Sequence, residues 1–136
     1  MITPADELAL IGAQRQESVV LGRKFKFRTL NSDEESMAEN AAAVFNGSTK
    51  IRILRIEKLA RAIESIEGQP FALDELDKTK GMTLLNKARE SVYKWQPPVV
   101  DRIYEEYEKL EKMRDNAVLE LEKNGKSPAT STTAGK

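Results

Sequence analysis

Histidine and cysteine are both absent from this 136-residue chain, and that double absence decides most of what its side chains can do. Serine-histidine-aspartate catalysis, cysteine-histidine catalysis and every ordinary zinc site need residue types that are missing. Carboxylates, lysines, hydroxyls and backbone phosphate cradles are what remain. The densest carboxylates are Glu105, Glu106, Glu108 and Glu111, on a stretch that is also rich in lysine and arginine. They read as partners four residues apart on a helix, or as hydrated groups. A carboxylate-bridged metal pair needs acids converging from different helices together with histidine. The seven glycines are scattered and form no phosphate-cradling cluster. No catalytic, cofactor-binding or metal-ligating residue is assigned, no cofactor is implied, and a non-enzymatic role is expected.

Two basic clusters and four aromatics are the other chemically capable groups. Arg23, Lys24, Lys26 and Arg28 interleave with Phe25 and Phe27, a pattern able to stack bases and neutralise phosphates. The plainer reading is a strand with a solvated basic face, whose lysines discourage edge pairing. Lys50, Arg52, Arg55, Lys58 and Arg61 spiral around their helix instead of forming one stripe, which weighs against a groove-reading helix. Tyr93, Trp95, Tyr104 and Tyr107 surround a helix break and read as packing anchors before partner hot spots.

The elements that must position these groups follow from period and punctuation. Thr3-Pro4 caps a first helix, with Asp6 and Glu7 in its first turn, running to about Arg15. From Glu17 to Leu30 the period becomes two, and Gly22 supplies the turn of a β-hairpin. Ser32 to Glu35 reads as a capping box opening a helix through Met37, Ala41, Val44 and Phe45, which Asn46-Gly47 stops. A further helix, capped by Ser48 or Thr49, places Ile53, Ile56, Leu59, Ala60, Ile63 and Ile66 on one side and ends at Gly68. Residues 69–81 read as irregular, with one short turn at Leu73 to Leu76, before a helix from Thr83 to about Trp95. Pro97-Pro98 interrupts that helix and starts the longest one, to Lys123. Along it Val100, Ile103, Tyr107, Leu110, Arg114, Ala117 and Leu121 alternate in steps of three and four, a heptad seam with one charged interruption. The polar run from Lys126 to Lys136 is expected to stay disordered.

The fold class expected is mainly α: a small helical bundle with a short N-terminal β-hairpin, a long C-terminal helix and a disordered C-terminal tail. It divides into a helical extension at residues 1–17, a hairpin-plus-helix body at 18–123 and a flexible tail at 124–136. With 22 basic and 22 acidic side chains, the molecule has no net field to draw it onto nucleic acid or an anionic membrane. The absence of cysteine is most economically read as a reducing compartment. No apolar run approaches the roughly 20 residues needed to cross a bilayer, and the acidic N-terminus does not resemble a secretory signal.

Taken in order, several of these segments resemble the tail assembly chaperones of long-tailed bacteriophages. The resemblance runs through VLGRKFKFRTL at 20–30, an acidic helix start, IEKLARAI at 56–63 closing on Ile66-Glu67-Gly68, and WQPPVVD at 95–101 leading into Ile103-Tyr104-Glu105-Glu106-Tyr107. It spans roughly residues 18 to 123. Asn31-Ser32 replaces the threonine usual after Leu30, and the first helix is an addition to the pattern. The resemblance implies a protein of the host cytoplasm that binds the long, helical, aggregation-prone tape measure protein and helps recruit tail tube subunits. It also implies a short form and a longer form made by programmed frameshifting; Gly125-Lys126 is a dipeptide that a slippery sequence can encode.

A holdase for a long helix needs amphipathic surface and no catalytic machinery. The heptad seam supplies it, so Val100, Ile103, Tyr107, Leu110 and Leu121, flanked by Tyr104 and Met113, are the expected partner-binding residues. Self-association along the client would add avidity. Two other readings stay open: a structural virion or tail subunit, and a small nucleic-acid-binding regulator.

Overall fold

The computed structural model describes residues 3–71 and 78–124, and for 78–84 the backbone alone. The expected turn at Leu73 to Leu76 and the polar tail therefore lie outside the described residues. Helix α1 (Pro4–Leu10) opens on Thr3, whose hydroxyl accepts the Asp6 N–H at 3.1 Å while the Asp6 carboxylate accepts the Thr3 N–H at 3.2 Å. It ends five residues short of Arg15, because Gly12 turns the chain at φ +82° into strand β1. Strands β1 (Arg15–Val20) and β2 (Arg23–Arg28) pair antiparallel as expected, joined by Leu21-Gly22 with φ 54° and 74°. Two left-handed residues in a two-residue loop match the right-handed twist of a hairpin. Leu21 adopts that geometry despite its side chain.

Helix α2 (Ser32–Ala42) starts one residue earlier than its sequence pattern indicates. Its cap is Asn31, whose side chain accepts the Glu34 N–H at 2.9 Å, and Glu34 returns the bond to Asn31 N–H at 3.0 Å. Glu34 takes this place because the Arg28 guanidinium at the end of β2 already grips it with both terminal nitrogens. Glu35, the expected member of the box, is drawn instead to Arg114 at 2.9 Å. The helix also ends before Phe45, and Gly47 at φ +62° lets the chain reverse into α3 (Gly47–Ala62).

The larger departure follows α3. Ile63 and Ile66 are not the end of that helix but belong to strand β3 (Ile63–Ile66), which pairs antiparallel with β2, and β4 (Gln69–Pro70) completes a four-stranded sheet in the order β1-β2-β3-β4. The turn is Glu67-Gly68 at φ 53° and 81°, a second hairpin built like the first. Phe27 faces Ile63 while Lys26 faces Ser65, so Glu64 is an extra, bulged residue in β3. A regular strand would turn residues three apart to opposite faces. The bulge returns Ile63 and Ile66 to one face, which is why their spacing looked helical.

Helix α4 (Lys78–Lys94) and α5 (Pro97–Lys123) complete the order, with Pro97 in the first turn of α5. The inner sheet face carries Val20, Phe25, Phe27 and Ile63, and α5 lies against it with Val100, Ile103, Tyr107 and Leu110. Helix α3 contributes Ile56, Leu59 and Ala60, and α4 contributes Leu85, Ala88 and Val92. The Phe27 and Tyr107 rings sit 6.2 Å apart, and those of Tyr104 and Tyr107 5.7 Å, within the range of favourable tilted pairs. The mainly helical class, the N-terminal hairpin and the long last helix are all present.

Candidate functional site

The expected partner surface divides in two. Val100, Ile103, Tyr104, Tyr107 and Leu110 are sealed in the core, none more than 7% exposed, and are not available to a partner in this fold. Met113 and Leu121 alone are open, at 45% and 41%. The correction has a simple physical cause: the seam's first half is covered by the inner face of the hairpin and by α3. A heptad repeat demands a covering element without saying whether it belongs to the same chain.

Beyond Leu110, α5 runs on for about 20 Å at 1.5 Å per residue with progressively less cover. Its first cover there is Glu35, which binds Arg114, the charged interruption of the seam, and burial pushes the Arg114 guanidinium down while Glu35 and Asp115 hold it net above its usual range. The loop after α1 is the second cover. A Cβ on Gly12 would stand 2.8 Å from Val118 Cγ2, so any other residue here must displace that side chain and also adopt an unfavourable positive φ. Past that contact Ala117, Val118 and Leu121 share a side with Met113, with Val118 43% exposed. Alongside lies a cleft of about 610 Å³ between the α1 turn and the start of α2, lined by Leu8, Leu10, Ile11, Leu30, Glu34 and Arg114 among others. Helix α1 buries none of its residues, and Leu8 and Leu10 are its most open apolar side chains.

Charged groups elsewhere serve mainly to fasten helices. Glu57 on α3 has no exposed surface and accepts Arg61 Nη1 at 2.8 Å, Arg89 Nε at 3.0 Å and the Tyr93 hydroxyl at 2.9 Å. Burial pushes its carboxyl up, but the bonds from Arg89, Arg61 and Tyr93 outweigh that and hold it below the usual carboxylate range. Burial and the Glu57 carboxylate together raise the Tyr93 hydroxyl. This clamp joins α3 to α4, and only its Glu57–Arg61 spacing of four was visible in the sequence. Between α3 and α5, Lys58 binds Glu111 at 3.0 Å and Arg55 binds Asp101 at 3.1 Å while lying 5.2 Å over the Tyr104 ring.

These pairings also bear on nucleic acid. Phe25 and Phe27 turn into the core at 4% and 1% exposure, so the basic strand offers no ring for a base to stack on. Arg55, Lys58 and Arg61 of the second basic set are each held by a carboxylate of the same chain. Of the carboxylates on α5, Glu106 binds Arg102 four residues before it and Lys109 three after, as a helical ion-pair reading expects, whereas Glu111 reaches across to Lys58 on α3. Tyr104 and Tyr107 are core residues, Trp95 stacks on Phe71 at 5.8 Å, and Tyr93 stays half open. Among the described residues no group of three or more histidine, cysteine, aspartate or glutamate side chains converges as a metal site. No described helix is long and apolar enough to cross a membrane. Comparisons with protein-family models, with curated proteins and with solved structures find no match to this chain.

Proposed function

We propose that this protein is a non-enzymatic helix-holding chaperone of the phage tail assembly type, acting in the host cytoplasm on the tape measure protein and helping to recruit tail tube subunits. The reading rests on the resemblance carried by residues 20–30, 56–68 and 95–107. Its physical support is one observation: after the core is closed, α5 still carries an uncovered apolar side at Met113 and Leu121, beside the cleft under α1. An amphipathic client helix docks on such a side by its own residues at three- and four-residue spacing. The client surface is thus moved from the first half of the seam to its second half.

The test is co-expression with the longest helical protein encoded beside this chain's gene, followed by affinity capture. Wild type should retain the client in soluble form, and a Met113→Glu/Leu121→Glu variant with an unchanged circular dichroism spectrum should lose it. Client retention by that variant would remove the proposed surface. Recovery of the chain as a stoichiometric component of finished particles would favour the structural-subunit reading instead.

A further inference from the structure

We propose that the outer edge of β1 pairs antiparallel with the same edge of a second copy of this chain, joining two four-stranded sheets into one across a two-fold axis. The proposal stands apart from the client-holding role and concerns a different face. The sheet has two edges, and they are unlike. Strand β4 is two residues long and ends in Pro70, which has no N–H to offer, so that edge is blunted. Strand β1 has six residues, no proline and no bulge.

The turn fixes which groups of β1 point outward. In a two-residue hairpin Val20 and Arg23 form the first hydrogen-bonded pair, so Val20, Ser18 and Gln16 direct their backbone groups to β2. The bond from Thr29 N–H to the Gln14 carbonyl at 3.0 Å continues that alternation. Arg15, Glu17 and Val19 therefore direct theirs away from the sheet. Among the described residues no cross-strand bond reaches that side.

Charge selects both the occupant and the register. A guarded edge repels its own copy by carrying one sign of charge, whereas β1 carries Arg15 and Glu17, opposite in sign and two residues apart. With Gln16 on the axis, each Arg15 stands opposite Glu17 of the second copy, giving two cross-strand ion pairs per dimer. With Glu17 on the axis the two carboxylates would face each other. With Ser18 on the axis Glu17 would face Val19, and no pair would form. Arg15 holds Glu64 of β3 through Nε at 3.1 Å, an exposed pair with the arginine side chain 69% exposed, and dimerisation exchanges that weak contact for Glu17 of the second copy. The interface is self-complementary, as a two-fold contact requires.

Sedimentation velocity on the full chain over a concentration series should show a monomer passing to a dimer. Glu17→Pro, which removes an outward N–H that β2 does not use, should leave the circular dichroism spectrum unchanged and abolish the dimer. Arg15→Glu should weaken dimerisation at least tenfold, and adding Glu17→Arg should restore it. Because the chain has no cysteine, Gln16→Cys should form a disulfide-linked dimer under mild oxidation, the two Cα atoms being about 4.5 Å apart in a non-hydrogen-bonded pair. Ser18→Cys, opposite Gln14, should not. A chain that stays monomeric at every concentration, a dimer insensitive to the Arg15 and Glu17 exchanges, or cross-linking through Ser18→Cys alone would each overturn the proposal. So would an extended foreign segment found on the β1 edge of a chain that does not dimerise. Should Glu17→Pro fail to fold, the charge exchange and the two cysteine variants decide the matter.

Discussion

The two halves of α5 share one helix, one heptad repeat and similar residue types, yet they meet opposite fates. From Val100 to Leu110 the seam is the centre of the core, while from Met113 to Leu121 it is open or thinly covered. The first half lies under the hairpin and beside α3. The second meets Glu35 and the Gly12 turn. An apolar stripe thus states that something must cover it, and the surrounding topology decides whether that cover is internal.

The sharpest way to break this contrast is to place the same charge in each half. Ile103→Asp should cost at least about 4 kcal/mol, since it removes a filled core volume and buries an unpaired carboxylate. Leu121→Asp should change stability by less than about 0.5 kcal/mol. Urea unfolding followed by circular dichroism measures both, and equal losses would show that the distal half is packed after all.

Loosening α3 should erase the contrast from the other side. Glu57→Ala leaves Arg61 and Arg89 facing a buried gap and should cost about 3 kcal/mol, measured by the same unfolding experiment. The acid limb carries the same information. The arginine bonds to Glu57 and Glu34 hold both carboxyls below the ordinary glutamate range in the folded chain despite their burial, so their contribution is fully present above that range and is lost as pH falls through the lowered folded values. The urea midpoint should hold steady between about pH 7 and pH 5 and then fall, and Glu57→Gln should make that fall shallower.

A smaller effect is expected where the Gly12 turn meets the Val118 side chain of the distal half. Gly12→Ala meets Val118 at 2.8 Å and an unfavourable positive φ, so the α1 turn should lift from α5 at a cost of about 1 to 3 kcal/mol. Faster amide hydrogen exchange through α1, with α3 and the sheet unchanged, would identify the loss as local. Exchange rising equally in every element would show instead that α1 is integral to the core.

Much of this architecture was legible because its signals are local. Thr3-Pro4, the period of two around Phe25 and Phe27, and Pro97-Pro98 each act within a few residues, and each produced the element expected. Misreadings arose where a distant partner decided. Glu34 replaced Glu35 in the α2 cap because Arg28 and Arg114 each claimed one of two adjacent glutamates. Ile63 and Ile66 left the helix because β2 had an unpaired edge to fill and a bulge at Glu64 could align them. The Glu57 clamp was invisible for the same reason, since Arg89 and Tyr93 come from another helix.

The sequence by itself determined that this chain has no histidine or cysteine chemistry, that it is mainly helical with a hairpin near its start, and that its last helix carries a long apolar seam. Composition and periodicity suffice for such statements because they depend on residue type and on neighbours within one or two turns. Only the tertiary structure decided which half of the seam is spent on the core, which glutamate caps α2, and which sheet edge is left open. Those outcomes depend on competition among groups far apart in the chain, where burial and pairing free energies of several kcal/mol override local preferences worth about one.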